Sequence, residues 1–447
     1  MIRLEMTEGT SNKFWEIELS GKSFTTRWGR IGTKGQEKTQ SFASPAAALR
    51  EQTKLVASKR NKGYCEPASK PAPSAATPRN PALEAAIRGD REDAGAYQVY
   101  ADWLQANGSP IGELIILEQA LAKTKHPTKQ RRASEIRGAL ALPAEDLATF
   151  GWRCGMWRWI RLENSADWMD NAFDALAVAR PLFESPLCAA LEELRIGVLR
   201  WEFNHKDVPA VLAAAGKQAW AADLQRLHLG DVDDSVDMAH HVIGDVGKVI
   251  SKAFPGLVWL KLHSGDQTWE GPKTFEIGGL DLPELTTLVI ETCAMSKKRL
   301  KHVLEAKLPK LDTLELWFGG DDANSGPKDV QPLLDGKLFP TLRHLGLRNC
   351  KFADELAAAL PASSIAKRLE SLDLSMGTMS DDGATALAGG ARSFPKLKTL
   401  SIDDNFLDDA VRTVKAAFKG VKVVSKEQKE PDDSIEGEIH RFVSVHE

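Results

Sequence analysis

The 447-residue chain is too long for one ordinary core, so two or three domains are expected. Its 43% hydrophobic and 27% charged residues are typical of a soluble globular protein, and no apolar run approaches the roughly 18 residues of a membrane span. The net charge of −4 conceals an asymmetry: residues 1–79 hold 14 Lys/Arg and 7 Asp/Glu, so a basic head precedes an acidic body, which points the head toward an anionic partner.

The opening MIRLEMTEGT lacks an apolar h-region, so no secretory signal is expected. Residues 1–64 read as a small α+β unit. Trp15, Ile17 and Leu19 alternate with Glu16 and Glu18, the period of a half-buried strand. Ser20-Gly21 marks a turn, Phe24 to Trp28 a second strand and Glu37 to Phe42 a third. Ser44-Pro45 suits the start of a helix over about 45–61, with Gly63 placed to end it. Residues 65–79, rich in Pro, Ala and Ser, read as an extended linker.

Residues 80–142 read as helical: Ala82 to Ile87 and Tyr97 to Leu104 carry apolar residues at helical spacing, and Gly108-Ser109-Pro110 precedes a third helix, Glu113 to Leu121. A charged stretch follows, over roughly 123–137.

From 143 to 425 the chain is repetitive. The pattern L-x-x-L-x-L starts at Leu191, Leu224, Leu257, Leu285, Leu311, Leu342, Leu369 and Leu397, after a degenerate copy, WRWIRL, at Trp157, giving about nine repeats. GVKVVS near Val421 reads as a truncated last strand. Each L-x-L is a short strand burying alternate side chains, and the following residues return to the next strand through a helix such as Asp381 to Ala391. One repeat cannot bury its apolar face, but a stack of them can. Cys293, Cys350 and Asn405 lie three residues after the last strand position, where they can satisfy backbone groups of the turn. Residues 426–447 form a charged tail or a C-terminal cap in which Ile439, Phe442, Val443 and Val445 could build a closing strand.

The repeats resemble ribonuclease-inhibitor-like leucine-rich repeats, which implies an α/β solenoid with strands on the concave face and helices on the convex face. NKFWEIEL (Asn12 to Leu19) and RWGRIGTKGQ (Arg27 to Gln36) resemble the WGR domain of DNA-dependent poly(ADP-ribose) polymerases and many bacterial proteins. That resemblance implies a module that helps bind DNA ends, with Trp28 packing on sugar and Arg30 meeting phosphate. VYADWL and GELIILEQAL resemble a short helical companion of bacterial repeat proteins, which implies a bacterial repeat context and no activity. Nothing resembles the polymerase catalytic domain.

Trp28 and Arg30 are the first candidates for nucleic-acid contact: a flat ring stacks and a guanidinium forks to phosphate. Lys13, Lys34 and Lys38 would add phosphate contacts that position without specifying sequence. A core role for Trp28, or a WGR surface that docks protein, also fits the residues. Lys54, Lys59, Arg60 and Lys62 either extend the basic surface or form the solvated face of a terminal helix, and the second reading is favoured.

On the concave face the third, fifth and seventh pattern positions face solvent. They supply Arg195, Arg226, His228, Trp259, Lys261 and His263, then Glu315, Trp317, Arg348, Asp373 and Asp403. Tryptophan beside Arg and His is a composition found at interface hot spots, so Arg226, His228, Trp259, Lys261, His263, Trp317 and Arg348 are the candidate protein-binding set.

Asp231, Asp233, Asp234 and Asp237 lack the Gly and Glu of a calcium loop, and His240-His241 lacks metalloprotease spacing. No G-x-S-x-G or Walker loop is present. Cys65, Cys154, Cys188, Cys293 and Cys350 contain no C-x-x-C pair, which argues against zinc and for reduced thiols in a cytoplasmic protein. The expectation is a non-enzymatic adaptor without cofactor or metal, whose head contacts DNA or RNA at ends or nicks and whose repeats hold a protein. A pure protein scaffold is the alternative.

Overall fold

The computed structural model describes residues 2–6, 13–30, 33, 35–60, 62, 64, 78–140, 142–165, 173–200, 203–232, 241–265, 267–268, 271–272, 275–320, 323–432 and 440–445. It divides into two compact units, Met1–Thr77 and Pro78–Glu447. Most of the stretch read as a linker, up to Thr77, lies outside the described residues.

In the first unit, β1 (Ile2–Met6), β2 (Lys13–Ser20), β3 (Ser23–Arg30) and β4 (Gln36–Ser41) form an antiparallel sheet in chain order, followed by α1 (Pro45–Arg60). Trp15 and Ile17 join Leu4, Phe24 and Val56 in the core, but β2 is not the half-buried strand its alternation predicts: Phe14 and Glu16 on the other face are buried too, Glu16 against Arg27, and of the two alternating glutamates only Glu18 is exposed. The Ser44 hydroxyl accepts the Ala47 N–H at 3.2 Å, as the helix start requires. Strand β1 adds to the three expected strands. Its residue Leu4 faces Trp15 across the ladder and is fully buried.

The second unit starts with α2 (Pro81–Gly89), α3 (Ala94–Ala106), α4 (Pro110–Lys123) and α5 (Pro127–Ala139). Asn80, Asp93 and Ser109 cap the first three, accepting the Leu83, Gly95 and Ile111 N–H groups. Ile87, Tyr97, Tyr100, Leu104 and Ile115 belong to the same core as the repeats, so these helices cover the first repeats, an end a solenoid must close. Arg91 ties them down, donating to the Leu191 and Asp223 carbonyls at 3.0 and 2.7 Å. Arg79, from the stretch read as linker, grips the buried Glu84 at 2.6 and 2.5 Å, and the Tyr100 hydroxyl donates to the same carboxylate. Helix α5 falls on the charged stretch. It buries only Ala133 and Ile136, too narrow a stripe to read as amphipathic, and Arg132 clamps it to Glu113 of α4 at 2.7 and 2.8 Å.

Among the described residues an eleven-stranded sheet follows. It opens with β5 (Ala148–Arg153) antiparallel to β6 (Met156–Leu162). The rest is parallel and in chain order: β7 (Glu193–Ile196), β8 (Arg226–Leu229), β9 (Trp259–His263), β12 (Thr287–Glu291), β13 (Thr313–Gly319), β14 (His344–Cys350), β15 (Ser371–Asp373), β16 (Thr399–Ser401) and β17 (Lys422–Val424). A small hairpin, β10 (Gln267–Thr268) and β11 (Gly271–Pro272), lies between β9 and β12. Returns run through α6 (Ala175–Phe183), α7 (Asn204–Ala215), α8 (Gly247–Ala253), α9 (Lys297–Leu304), α10 (Pro327–Leu334), α11 (Ala353–Ala359), α12 (Asp381–Gly389) and α13 (Ala410–Ala417). The register aligns one leucine per repeat: Leu260, Leu288, Leu314, Leu345, Leu372 and Leu400 form an unbroken buried row. Burying each is worth about 1.5–3 kcal/mol, and each is buried only because its neighbours stack.

Asn405 performs the turn role expected of it. Its Oδ1 accepts the Met379 N–H at 3.1 Å, and its Nδ2 donates to the Leu374 and Asp403 carbonyls at 2.9 and 3.1 Å. Beyond β17 the described tail adds no further strand to the sheet. Residues 441–445 instead fold back across earlier repeats, where Val443 is buried and Val445 packs with Cys293, Ala294 and Trp317. A strand at the end of the stack would have met β17 alone, whereas folding back lets the tail reach five repeats, those of β12 to β16. Ile439 lies outside the described residues.

Candidate functional site

In the first unit, Trp15 and Trp28 stand opposite each other on β2 and β3, and two residues along Lys13 stands opposite Arg30. Trp28 is half-buried. It packs on the core and also lines an open pocket of about 530 Å3 together with Lys13, Phe14, Gly29, Arg30, Lys59 and Tyr64. The turn after the W-G-R segment explains the glycines: Gly35 has φ +69°, and a Cβ there would lie 2.7 Å from both Phe14 Cζ and the Trp28 carbonyl oxygen.

Three cations therefore converge on one aromatic-floored opening. Lys59 comes from α1, a face read as merely solvated, and lies 4.8 Å over the Tyr64 ring and 5.5 Å from the Trp15 ring centroid. Its ammonium is held below the usual lysine range, first by burial and then by Lys62 and Lys13. A bound anion would relieve that repulsion. Lys38 is exposed on β4 and does not line the pocket. Lys34 and Gly32 lie outside the described residues, as does the side chain of Arg60. Sequence reasoning named Lys59 as an extension of the basic surface but favoured a solvated face, and it missed Tyr64, which lies outside the W-G-R segment.

In the second unit the alternation holds on the sheet's solvent face: Leu260 and Leu262 point in, while Trp259, Lys261 and His263 point out. Arg226, His228, Trp259, Lys261 and His263 form one patch on β8 and β9. The Arg226 guanidinium lies 4.1 Å over the Trp259 ring, and His228 meets that ring edge-on at 6.0 Å. Glu291 of β12 bridges Lys261 and His263, each at 2.8 Å. Trp317 and Arg348 form a second pair on β13 and β14, with Arg348 5.1 Å over the ring and Glu315 accepting from both, and Val445 packs against Trp317. Arg195 pairs instead with Trp159 at 5.0 Å. Trp159 holds the third pattern position of the degenerate copy, so the same rule locates it. Gly151 leaves room for its indole, since a Cβ there would fall 1.9 Å from Trp159 Nε1.

The charges on this face are largely satisfied within it. Arg161 pairs with Glu163 and Asp231, Arg195 with Glu193, and Lys261 with Glu291. A face of neutralised pairs and Arg–Trp stacks suits a protein surface better than a polyanion. Among the described residues no cluster of three or more His, Cys, Asp or Glu could hold a metal. Residues 233–240, which include most of the discarded calcium loop, lie outside the described residues.

A WGR-domain model matches residues 1–71, and a leucine-rich-repeat model matches residues 368–388. The chain carries a WGR domain followed by leucine-rich repeats. Protein YehF of Escherichia coli (strain K12) is 26% identical over 255 residues, covering 52% of this chain and 89% of that protein. The uncharacterized protein YfeS of the same strain is 41% identical over 56 residues, or 12% of this chain and 23% of that one. A crystal structure of a Bacteroides fragilis protein shares the fold at a TM-score of 0.52 and 19% identity, covering 96% of this chain and 97% of that one. The basic pocket thus belongs to the WGR domain and the Arg–Trp patches to the repeats. No helix among the described residues is long and apolar enough to cross a membrane.

Two histidines of the repeats make a pH prediction. Burial pushes His228 down to about 4, outweighing the nearby Asp231 carboxylate at 3.3 Å, and pushes His241 down to about 3. Below the ordinary value of 6.5 the unfolded chain protonates these rings while the folded chain keeps them neutral. Stability is therefore retained above pH 6.5 and falls as the pH drops from there toward about 4, by roughly 1 kcal/mol per pH unit for each ring. Urea denaturation at pH 6 and pH 5 should show a slope shallower by about that amount in His228→Asn. Equal slopes would contradict the assignment.

Proposed function

We propose that this chain is a non-catalytic adaptor: its WGR domain holds nucleic acid at an end or nick, and its repeats hold a protein on the sheet's solvent face. The observation that carries the first half is the convergence of Lys13, Arg30 and Lys59 on a pocket floored by Trp28. A half-buried indole offers a rigid ring to a terminal sugar or base, and the cations offer partners to the flanking phosphates. The second half rests on the Arg226–Trp259 stack and its histidine and lysine neighbours, a composition suited to interface anchoring. Buried thiols at Cys188 and Cys350 fit a reducing compartment, the cytoplasm.

The test is fluorescence anisotropy of labelled open duplex, closed dumbbell, nicked duplex and single-stranded RNA with the full chain at two salt concentrations. Binding should require an end or nick, weaken with salt and fall at least tenfold in Trp28→Ala. No binding to any of the four at low salt would favour a pure protein scaffold. A protein partner should be lost in Trp259→Ala.

A further inference from the structure

The described tail does not merely lie on the repeats; it makes a sequence of specific contacts along their strand-end turns. Phe442 meets the Phe406 ring edge-on at 5.7 Å, and Lys429 donates to the Phe442 carbonyl at 2.9 Å. The Ser444 N–H donates to the Met376 carbonyl at 3.1 Å, and its hydroxyl donates to Asp404. Asn349 then reads the Val445 backbone from both sides: its Oδ1 accepts the Val445 N–H at 2.9 Å and its Nδ2 donates to the Val445 carbonyl at 2.6 Å.

The receiving edge has an unusual backbone. Asn349, Met376 and Asp404 occupy equivalent turn positions in three successive repeats, and all three are non-glycine residues with positive φ, at 52°, 65° and 53°. Asn and Asp tolerate this conformation, whereas Met376 adopts it at a cost. All three contact the tail, through the Asn349 amide, the Met376 carbonyl and the Asp404 carboxylate. A left-handed residue repeated at one position along one edge, with all three copies meeting the same segment, marks a built groove.

We propose that the strand-end edge of β13 to β16 is a docking groove for a peptide segment of the pattern aromatic–aliphatic–small–aliphatic, which residues 442–445 (Phe-Val-Ser-Val) fill in cis. A partner protein presenting a segment of that pattern enters by displacing the tail. The chemistry of the groove identifies this occupant: a ring for Phe406 and Lys429, a backbone N–H and hydroxyl for Met376 and Asp404, and an aliphatic side chain for Trp317 with a free backbone N–H and carbonyl for Asn349. Neither the WGR pocket nor the Trp259 patch takes part; Trp317 is shared with the sheet's solvent face, so Trp259→Ala, which leaves the groove intact, separates the failure of this proposal from that of the adaptor reading.

The experiment uses the full chain with its tail released by Phe442→Ala and Val445→Asp, and the synthetic peptide His-Arg-Phe-Val-Ser-Val-His-Glu (residues 440–447) as labelled probe. Anisotropy should show binding to the released chain. Binding to the unaltered chain should be at least ~10-fold weaker, because the tethered tail competes at a high effective concentration. Adding Asn349→Ala to the released chain should abolish binding. A released chain that keeps its circular dichroism and melting temperature but does not bind the peptide would overturn the proposal. Hydrogen exchange on the unaltered chain gives a second decision. Ser444 and Val445 amides should open well before those of β14, and exchange only on global unfolding would make the tail a permanent strap and overturn the proposal. A concentration-dependent dimer that the Phe442→Ala and Val445→Asp changes dissolve would assign the groove to a second copy and overturn the claim of a foreign partner.

Discussion

Replacing Gly319 with alanine is expected to lower the stability of the repeat body by roughly 3–5 kcal/mol. Gly319 ends β13 with φ +91°, and an added Cβ would lie 1.5 Å from the Cys293 carbonyl oxygen and 2.2 Å from its carbon. These are backbone atoms of the preceding repeat, so no side-chain rotation relieves the overlap. The neighbour is held in place as well. Ala294 bridges Gly319, and the Met295 N–H donates to the Phe318 carbonyl at 2.7 Å. The strand ends must therefore separate, and because each repeat is stabilised by its neighbours the damage falls on the β12–β13 junction. Urea denaturation followed by circular dichroism should show the loss, together with a broadened or split transition as the two halves uncouple. A loss below about 1 kcal/mol would mean that this junction is far softer than its contacts imply.

Removing Lys13 and Arg30 together, as Lys13→Ala/Arg30→Ala, is expected to weaken nucleic-acid binding about 100-fold at low salt. Both side chains are exposed and stand opposite each other at the mouth of the Trp28 pocket, so their loss removes charge and little packing. Each phosphate contact contributes roughly 0.7–0.9 to the slope of log K against log salt, so losing two should flatten that slope by about 1.5. The slope is the decisive readout, because damage to the fold would lower affinity without flattening it. An unchanged slope would place the phosphates elsewhere on the head. Lys59 is a poorer choice for this test, since its contact with Tyr64 makes it part of the packing.

The leucine period by itself determined the repeat fold and the facing of its side chains. Once Leu260 and Leu262 must be buried, a two-residue period forces Trp259, Lys261 and His263 to the opposite face, and no tertiary information is needed. The W-G-R segment likewise determined that Trp28 and Arg30 lie near each other, because they are two residues apart on one strand. The same local reasoning passed over α5, whose two buried residues leave almost no stripe, although β1 did carry its alternation in IRLEM.

Only the tertiary structure decided which side chains meet across the stack. Lys261 and His263 share Glu291 from the next repeat, a pairing that depends on the length and path of the intervening return. Lys59 follows Ala48, Gln52, Leu55 and Val56 at helical spacing, so the period puts it on the packed side of α1; only the docking of α1 on the sheet brings it to the Trp28 pocket. The tail shows the same limit most clearly. Its apolar residues identified a segment that must be buried, but their spacing could not say against what. Asn349 and Val445 are 96 residues apart, and their hydrogen bonds exist only because stacked repeats bring three left-handed turns into line. Local periodicity determines which way a side chain points; what it meets there is set by the geometry of the folded stack.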